Sequence, residues 1–266
     1  MMSEYWGELP APKQAVTLSY QDDIRAEVER IIIAIHAGTM TKKQVPATLV
    51  DLVYKELDKA LVTGYGTLKR KIDAKMITAL KNNVFSFSSA KEFQFIQEAF
   101  GSLTLPGGKV KPFAKFRDEV LKVHTNYNVN WLQSEYQATT ANAQIASKWQ
   151  DIQANKSASP LLKFRAVLDG RSRHKKYNGI VRPVEDPIWD WLMPILDWGC
   201  RCTVNAVSVG ELTAPDKLPN NRDIRPAFRF NPGKEKMVFS ESHPYFKVGG
   251  SAVKDMQKNW GLKRPE

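Results

Sequence analysis

Apolar residues return at three- and four-residue steps through most of the first 155 positions. In Tyr20–His36, Ile24, Val28, Ile31, Ile32 and Ile35 form one stripe, with Asp22, Asp23, Glu27 and Glu29 between them, which predicts an amphipathic helix. Acids in its first half suit the positive end of the helix dipole, and Gly38 is the expected stop. Leu49, Leu52, Val53, Leu57, Leu61 and Val62 repeat the pattern and predict a second helix over about 47–63, ahead of Gly64-Tyr65-Gly66. A third is expected over about 69–80. Ser89-Ala90-Lys91-Glu92 has capping-box spacing, in which a Ser hydroxyl and a Glu three residues on satisfy each other's backbone N–H groups. A separate fourth helix is therefore expected to start near Ala90. After the break at Leu105-Pro106-Gly107-Gly108, a long helical pattern runs over about 112–154. Asn126, Asn128 and Asn130 interrupt it, which predicts a kink or two helices sharing the stretch.

Past Ser157-Ala158-Ser159-Pro160 the texture changes. Residues 161–168 are short and apolar, with Lys163 and Arg165 alternating, and 200–207 alternate Cys200, Cys202, Val204 and Ala206 against Arg201, Thr203 and Asn205. Both are strand patterns, and Gly, Pro, Asn and Asp are frequent between and after them. The expected fold class is α+β, a predominantly helical N-terminal region with a small β-containing C-terminal module. The expected boundaries are 1–111 for the helical region, 112–210 for the module (long helices, then the β part) and 211–266 for a loop-rich basic tail.

Charge sharpens this division. The 266 residues carry 39 Lys and Arg against 28 Asp and Glu, a net +11. Residues 1–100 hold 13 basic against 12 acidic side chains and 101–266 hold 26 against 16, so nearly all of the excess lies in the second part. From 163 to 182 the one acid, Asp169, stands among Lys163, Arg165, Arg171, Arg173, Lys175, Lys176 and Arg182. Such a run suits a phosphate backbone or an acidic protein surface, and equally a solvated basic loop. The longest aliphatic run, Ile31–Ile35, is far shorter than a bilayer span, so no membrane helix is expected. Glu4 and Glu8 stand where an export signal would be basic and then apolar, so export by that route is not expected. Cys200 and Cys202 are the two cysteines; they build no disulfide framework and suit a reducing compartment.

Catalytic templates are missing. There is no G-x-x-x-x-G-K-[ST], no G-x-G-x-x-G after a strand, no H-E-x-x-H and no G-x-S-x-G, so the expectation is a protein that is not an enzyme and has no small-molecule substrate. Of four histidines, His36 and His124 fall on helical patterns and are expected to be packed or surface residues. His174 has different company. It follows Asp169 in a turn-rich segment and precedes Cys200 by 26 residues; on a strand Cys200 and Cys202 share a face. Two thiolates, an imidazole and the Asp169 carboxylate make a candidate zinc set. The alternative is a pair of packed thiols, with Asp169 paired to Arg171, Arg173 or Arg201. A nuclease using His174 with Arg171 and Arg173 would still need a second acid or base, which no motif places. Trp189, Trp191 and Trp198 read as core of a small module, with a partner-binding patch as the alternative.

The ordered string Phe164–His174, Asn178-Gly179-Ile180-Val181, Asp186-Pro187-Ile188-Trp189, Pro194 and Trp198–Val204 resembles the phage Mu F-like minor head protein family, also called the phage head morphogenesis family. That family's pattern is an Asp, an Arg pair, a His, a Gly, an Asp-Pro-aromatic step, a Pro-containing turn and a closing Cys-Arg-Cys. Val123–Asn130 is similar to the family's Arg-Thr-Asn helix, and the resemblance covers about 118–210. Three departures stand out: the Arg173–His174 loop is about two residues short, a single Pro194 replaces a Pro-Pro pair, and His124 replaces an Arg. The resemblance implies a structural protein of a tailed phage or prophage, acting in head assembly or DNA delivery. Its place would be the capsid interior near the portal, and the host cytoplasm during assembly. It implies the portal protein and other capsid proteins as partners, with packaged DNA as a further one. Asp169, Arg171, Arg173, His174, Cys200, Arg201 and Cys202 would form the heart of the module. A phage-carried nuclease or effector and a non-specific DNA-binding protein are the alternatives.

Overall fold

A computed structural model describes residues 18–66, 73–168, 173–249, 253–254 and 256–263. Helices α1 (Leu18–His36), α2 (Ala47–Tyr65), α3 (Ala74–Gly101), α4 (Phe113–His124) and α5 (Leu132–Asn155) lead into strands β1 (Leu161–Arg165), β2 (Val181–Pro183) and β3 (Thr203–Val207). Three short helices follow, α6 (Pro232–Glu235), α7 (Pro244–Gly249) and α8 (Met256–Trp260). The α+β expectation holds. The chain divides into two compact units, with boundaries that fall inside α2, α3 and α5. Unit 1 gathers the described residues of Met1–Lys59, Lys81–Tyr136 and His243–Glu266; unit 2 gathers those of Ala60–Leu80 and Gln137–Ser242.

In unit 1 the stripe of α1 is buried as expected, with Ile24, Val28 and Ile32 fully enclosed. Its end is set by Gly38, whose φ of +73° is open to glycine at no steric cost. Arg117 of α4 holds Glu29 of α1 through two N–H···O bonds of 2.9 and 2.5 Å. Between α4 and α5 lies one π-helical stretch, Thr125–Trp131, where the three asparagines interrupt the pattern. It turns Tyr127, Asn128 and Trp131 inward.

The expected third and fourth helices are one. Asp73 caps the start of α3, its Oδ1 accepting from the backbone N–H of Lys75 and Met76 at 3.0 and 3.2 Å, and the helix runs unbroken to Gly101. Ser89 does not cap anything: its hydroxyl donates to the Phe85 carbonyl four residues back, as Ser88 does to Val84. In a buried position that back-bond satisfies the hydroxyl without ending the helix.

Unit 2 is built around an antiparallel sheet in the order β2-β1-β3. Leu162, Phe164 and Val204 are fully buried on one face. Trp189 and Trp198 are buried too, which settles two of the three tryptophans as core. Asn231 caps α6 by accepting from the N–H groups of Gly233 and Lys234, and donates its own amide to the Trp189 carbonyl. Gly233 lies so close to Trp149 that a Cβ there would sit 2.3 Å from the Trp149 Cβ. No helix among the described residues is long and apolar enough to cross a membrane.

Candidate functional site

Two loops of unit 2 meet beside the sheet. The first leaves β1 and is pinned back on it: the Gly179 N–H donates to the Phe164 carbonyl, the Phe164 N–H to the Ile180 carbonyl, and the Ala166 N–H to the Asn178 side chain. Tyr177, buried against the edge of Phe164, lies with its ring stacked at 6.1 Å on that of His174. These contacts fix where His174 stands. The second loop turns at Asp197, whose carbonyl accepts from the Cys200 N–H, and enters β3 just after Cys202. The expected strand over 200–207 therefore starts at Thr203, with both cysteines on its approach.

The loops bring His174, Cys200 and Cys202 together. The His174 Nδ1 is 3.5 Å from the Cys200 Sγ and 3.7 Å from the Cys202 Sγ, and the three atoms lie within 4.8 Å of one another. Cys202 is buried and Cys200 half-buried. The hydrogen bond from Cys202, with a second from His174, favours the thiolate at Cys200, while the bond to Cys200, with burial, holds the Cys202 proton in place. Arg173 is held next to them by an ion pair with Asp197 at 2.6 Å. Asp169 and Arg171, expected in the same site, lie outside the described residues.

The basic run separates into two groups. Arg173, Lys176 and Arg182 are engaged with Asp197, Asp223 and Asp186 respectively. Among the described residues, no ion pair engages Lys163, Arg165 or Lys175. Lys163 and Arg165 stand opposite Asn205 and Thr203 in the β1–β3 ladder, on the face away from Leu162 and Phe164. Lys148 of α5 joins them there, donating to the Thr203 hydroxyl at 3.0 Å and to the Asn205 side chain at 3.5 Å. Desolvation lowers its pKa. Lys148, Lys163 and Arg165 thus share one sheet face. The sequence reading missed Lys148, which stands alone among Ser147 and Trp149 with no local charge pattern.

A long helix feeding a three-strand sheet, with a His and a Cys-x-Cys drawn together at its edge, coincides with the part of the chain that known proteins share. Residues 113–205 match the family described as Phage Mu protein F like protein, so the resemblance read from the ordered motifs is borne out over that segment, about a third of the chain. Two relatives match part of the chain. A Haemophilus influenzae protein named Mu-like prophage FluMu F protein is 37% identical over 65 residues, 24% of this chain and 16% of its own length. The F protein of Escherichia phage Mu, whose name assigns it provisionally to capsid assembly, is 29% identical over 93 residues, 34% of this chain and 19% of its own. The matched stretch thus spans less than a fifth of either relative. No solved structure matches.

Proposed function

We propose that the protein is a minor head component of a tailed phage or prophage, acting in capsid assembly near the portal as a structural part and not as an enzyme. The observation that carries this is the match of residues 113–205 to the Mu F-like family, together with a relative named for capsid assembly. Its partners are the portal and other capsid proteins, met in the host cytoplasm and kept in the capsid interior. The face of Lys148, Lys163 and Arg165 supports a contact with an anionic partner, either packaged DNA or an acidic capsid surface.

Quantitative mass spectrometry of purified particles and of empty proheads tests the assignment. The expected result is the chain in both, at a few copies per portal. Its absence from both, with the protein abundant in the infected or induced cell, overturns the structural reading and favours a cellular effector.

A further inference from the structure

We propose that His174, Cys200 and Cys202 bind a zinc ion, one per chain, which clamps the β1–β2 loop to the start of β3. A zinc ion with Zn–S of about 2.3 Å and Zn–N of about 2.05 Å in a tetrahedron places its ligand atoms about 3.6 Å (S···N) and about 3.8 Å (S···S) apart. The two S···N separations here are 3.5 and 3.7 Å. Two of the three edges therefore match one coordination sphere, and the third, between the sulfurs, lies within 4.8 Å.

Hydrogen bonding at Nδ1 accounts for one of its two sulfur contacts and leaves the other without a role. An imidazole nitrogen offers either one lone pair or one proton, so Nδ1 serves one sulfur, yet both sulfurs converge on it at hydrogen-bond range. A cation at their common focus serves all three. Backbone hydrogen bonds from Leu196 to Cys200 and from Val167 to Cys202 surround the sulfurs with donors of the kind that hold metal thiolates in place. Thiolate and imidazole ligands of this softness select zinc over magnesium or calcium. Binding releases the thiol protons, so affinity rises with pH until the thiols are deprotonated. The three protein ligands leave a fourth position for water or a further donor.

The test uses the full chain purified under reducing conditions with zinc present, then dialysed. The expected result is one zinc per chain by elemental analysis, and an X-ray absorption spectrum with two sulfur neighbours at about 2.3 Å and a nitrogen at about 2.05 Å. Removing the metal with a strong chelator lowers the melting temperature, and zinc restores it. Cys202→Ser and His174→Ala each lose stoichiometric zinc. Should a variant fail to fold, the sulfur count on the parent chain decides by itself. A folded, metal-free parent chain, a Cys200–Cys202 disulfide in the reduced preparation, or zinc bound with fewer than two sulfurs overturns the site. This outcome is independent of where the protein is found in the virion.

Discussion

In unit 1, Lys91, Glu92 and Glu135 are completely enclosed, with His124, Asn128, His243 and Tyr245 buried around them. In unit 2, Lys163 and Arg165, which no ion pair engages among the described residues, stand on a sheet face, and the reactive side chains sit in two loops. Within the enclosed group, the Lys91–Glu135 pair is satisfied by its neighbours. Lys91 Nζ lies 2.5 Å from Glu135 Oε2, the Tyr245 hydroxyl donates to the other Glu135 oxygen at 3.2 Å, and the Tyr245 N–H donates to His243 Nδ1 at 3.3 Å. Burial raises the Glu92 pKa to about 8, so its carboxyl is largely protonated at neutral pH and one enclosed ion pair remains. The contrast separates two uses of charge. An enclosed pair specifies how helices pack and costs desolvation, whereas an exposed cation keeps its charge for a partner.

The largest effect should come from breaking the enclosed pair on one side only. Lys91→Met leaves Glu135 buried without its counter-charge and should cost about 3–5 kcal/mol, read by urea unfolding and by hydrogen exchange of α3 amides. Lys91→Met with Glu135→Leu should regain most of that loss. If the single variant is as stable as the parent, the pair does not organise unit 1.

The pH response of the same cluster comes next, with opposite signs at two residues. Burial lowers the His243 pKa to about 3, below its unfolded value, so its contribution is complete above about pH 6.5 and is lost as pH falls. Relative to His243→Gln, the parent should therefore lose about 2 kcal/mol between pH 6.5 and 5. Glu92 behaves in reverse: its contribution is complete below the unfolded carboxyl value and is lost as pH rises toward about 8. Relative to Glu92→Gln, the parent weakens with rising pH. Parallel pH profiles in parent and variants would refute both assignments.

Unit 2 offers a steric counterpart that involves no charge. Gly233→Ala pushes a methyl group against Trp149 and should cost about 1–3 kcal/mol, measured by thermal unfolding with tryptophan fluorescence. A neutral result would mean that α6 moves freely on α5.

These regions also differ in how far they could be read in advance. The α1 and α2 stripes, the β1 and β3 alternation and the interruption at Asn126–Asn130 all depend on neighbours within a few residues, and the sequence displays them directly. The convergence of His174 with Cys200 and Cys202 was legible because a short ordered motif carries all three. Lys91 and Glu135, by contrast, lie 44 residues apart, and each sits on its helix like an ordinary surface charge. The partners of Lys148 lie 55 and 57 residues downstream. Ser89 misled for a related reason: the capping-box spacing is a local rule, and the continuous burial of residues 87–92 of α3, which decides the matter, comes from tertiary packing. The basic run looked uniform because Asp197 and Asp223, which engage Arg173 and Lys176, lie outside it.

The smallest expected effect on stability, and the one that most sharpens the contrast, concerns that run. If Lys163 and Arg165 keep their charge for a phosphate backbone while Arg173, Lys176 and Arg182 hold the fold, the two groups should separate under substitution. Lys163→Ala with Arg165→Ala should leave the melting temperature nearly unchanged and lower the slope of log affinity against log salt for duplex DNA by up to about 1.8, about 0.9 for each lost phosphate contact. Lys176→Ala with Arg182→Ala should change that slope far less, since both cations are already engaged by carboxylates. Equal changes of slope in the two pairs would mean that the sheet face is not distinguished from the rest of the basic surface. No DNA affinity in the parent chain, with retention of an acidic capsid protein that Lys163→Ala with Arg165→Ala abolishes, would assign the same face to a protein partner.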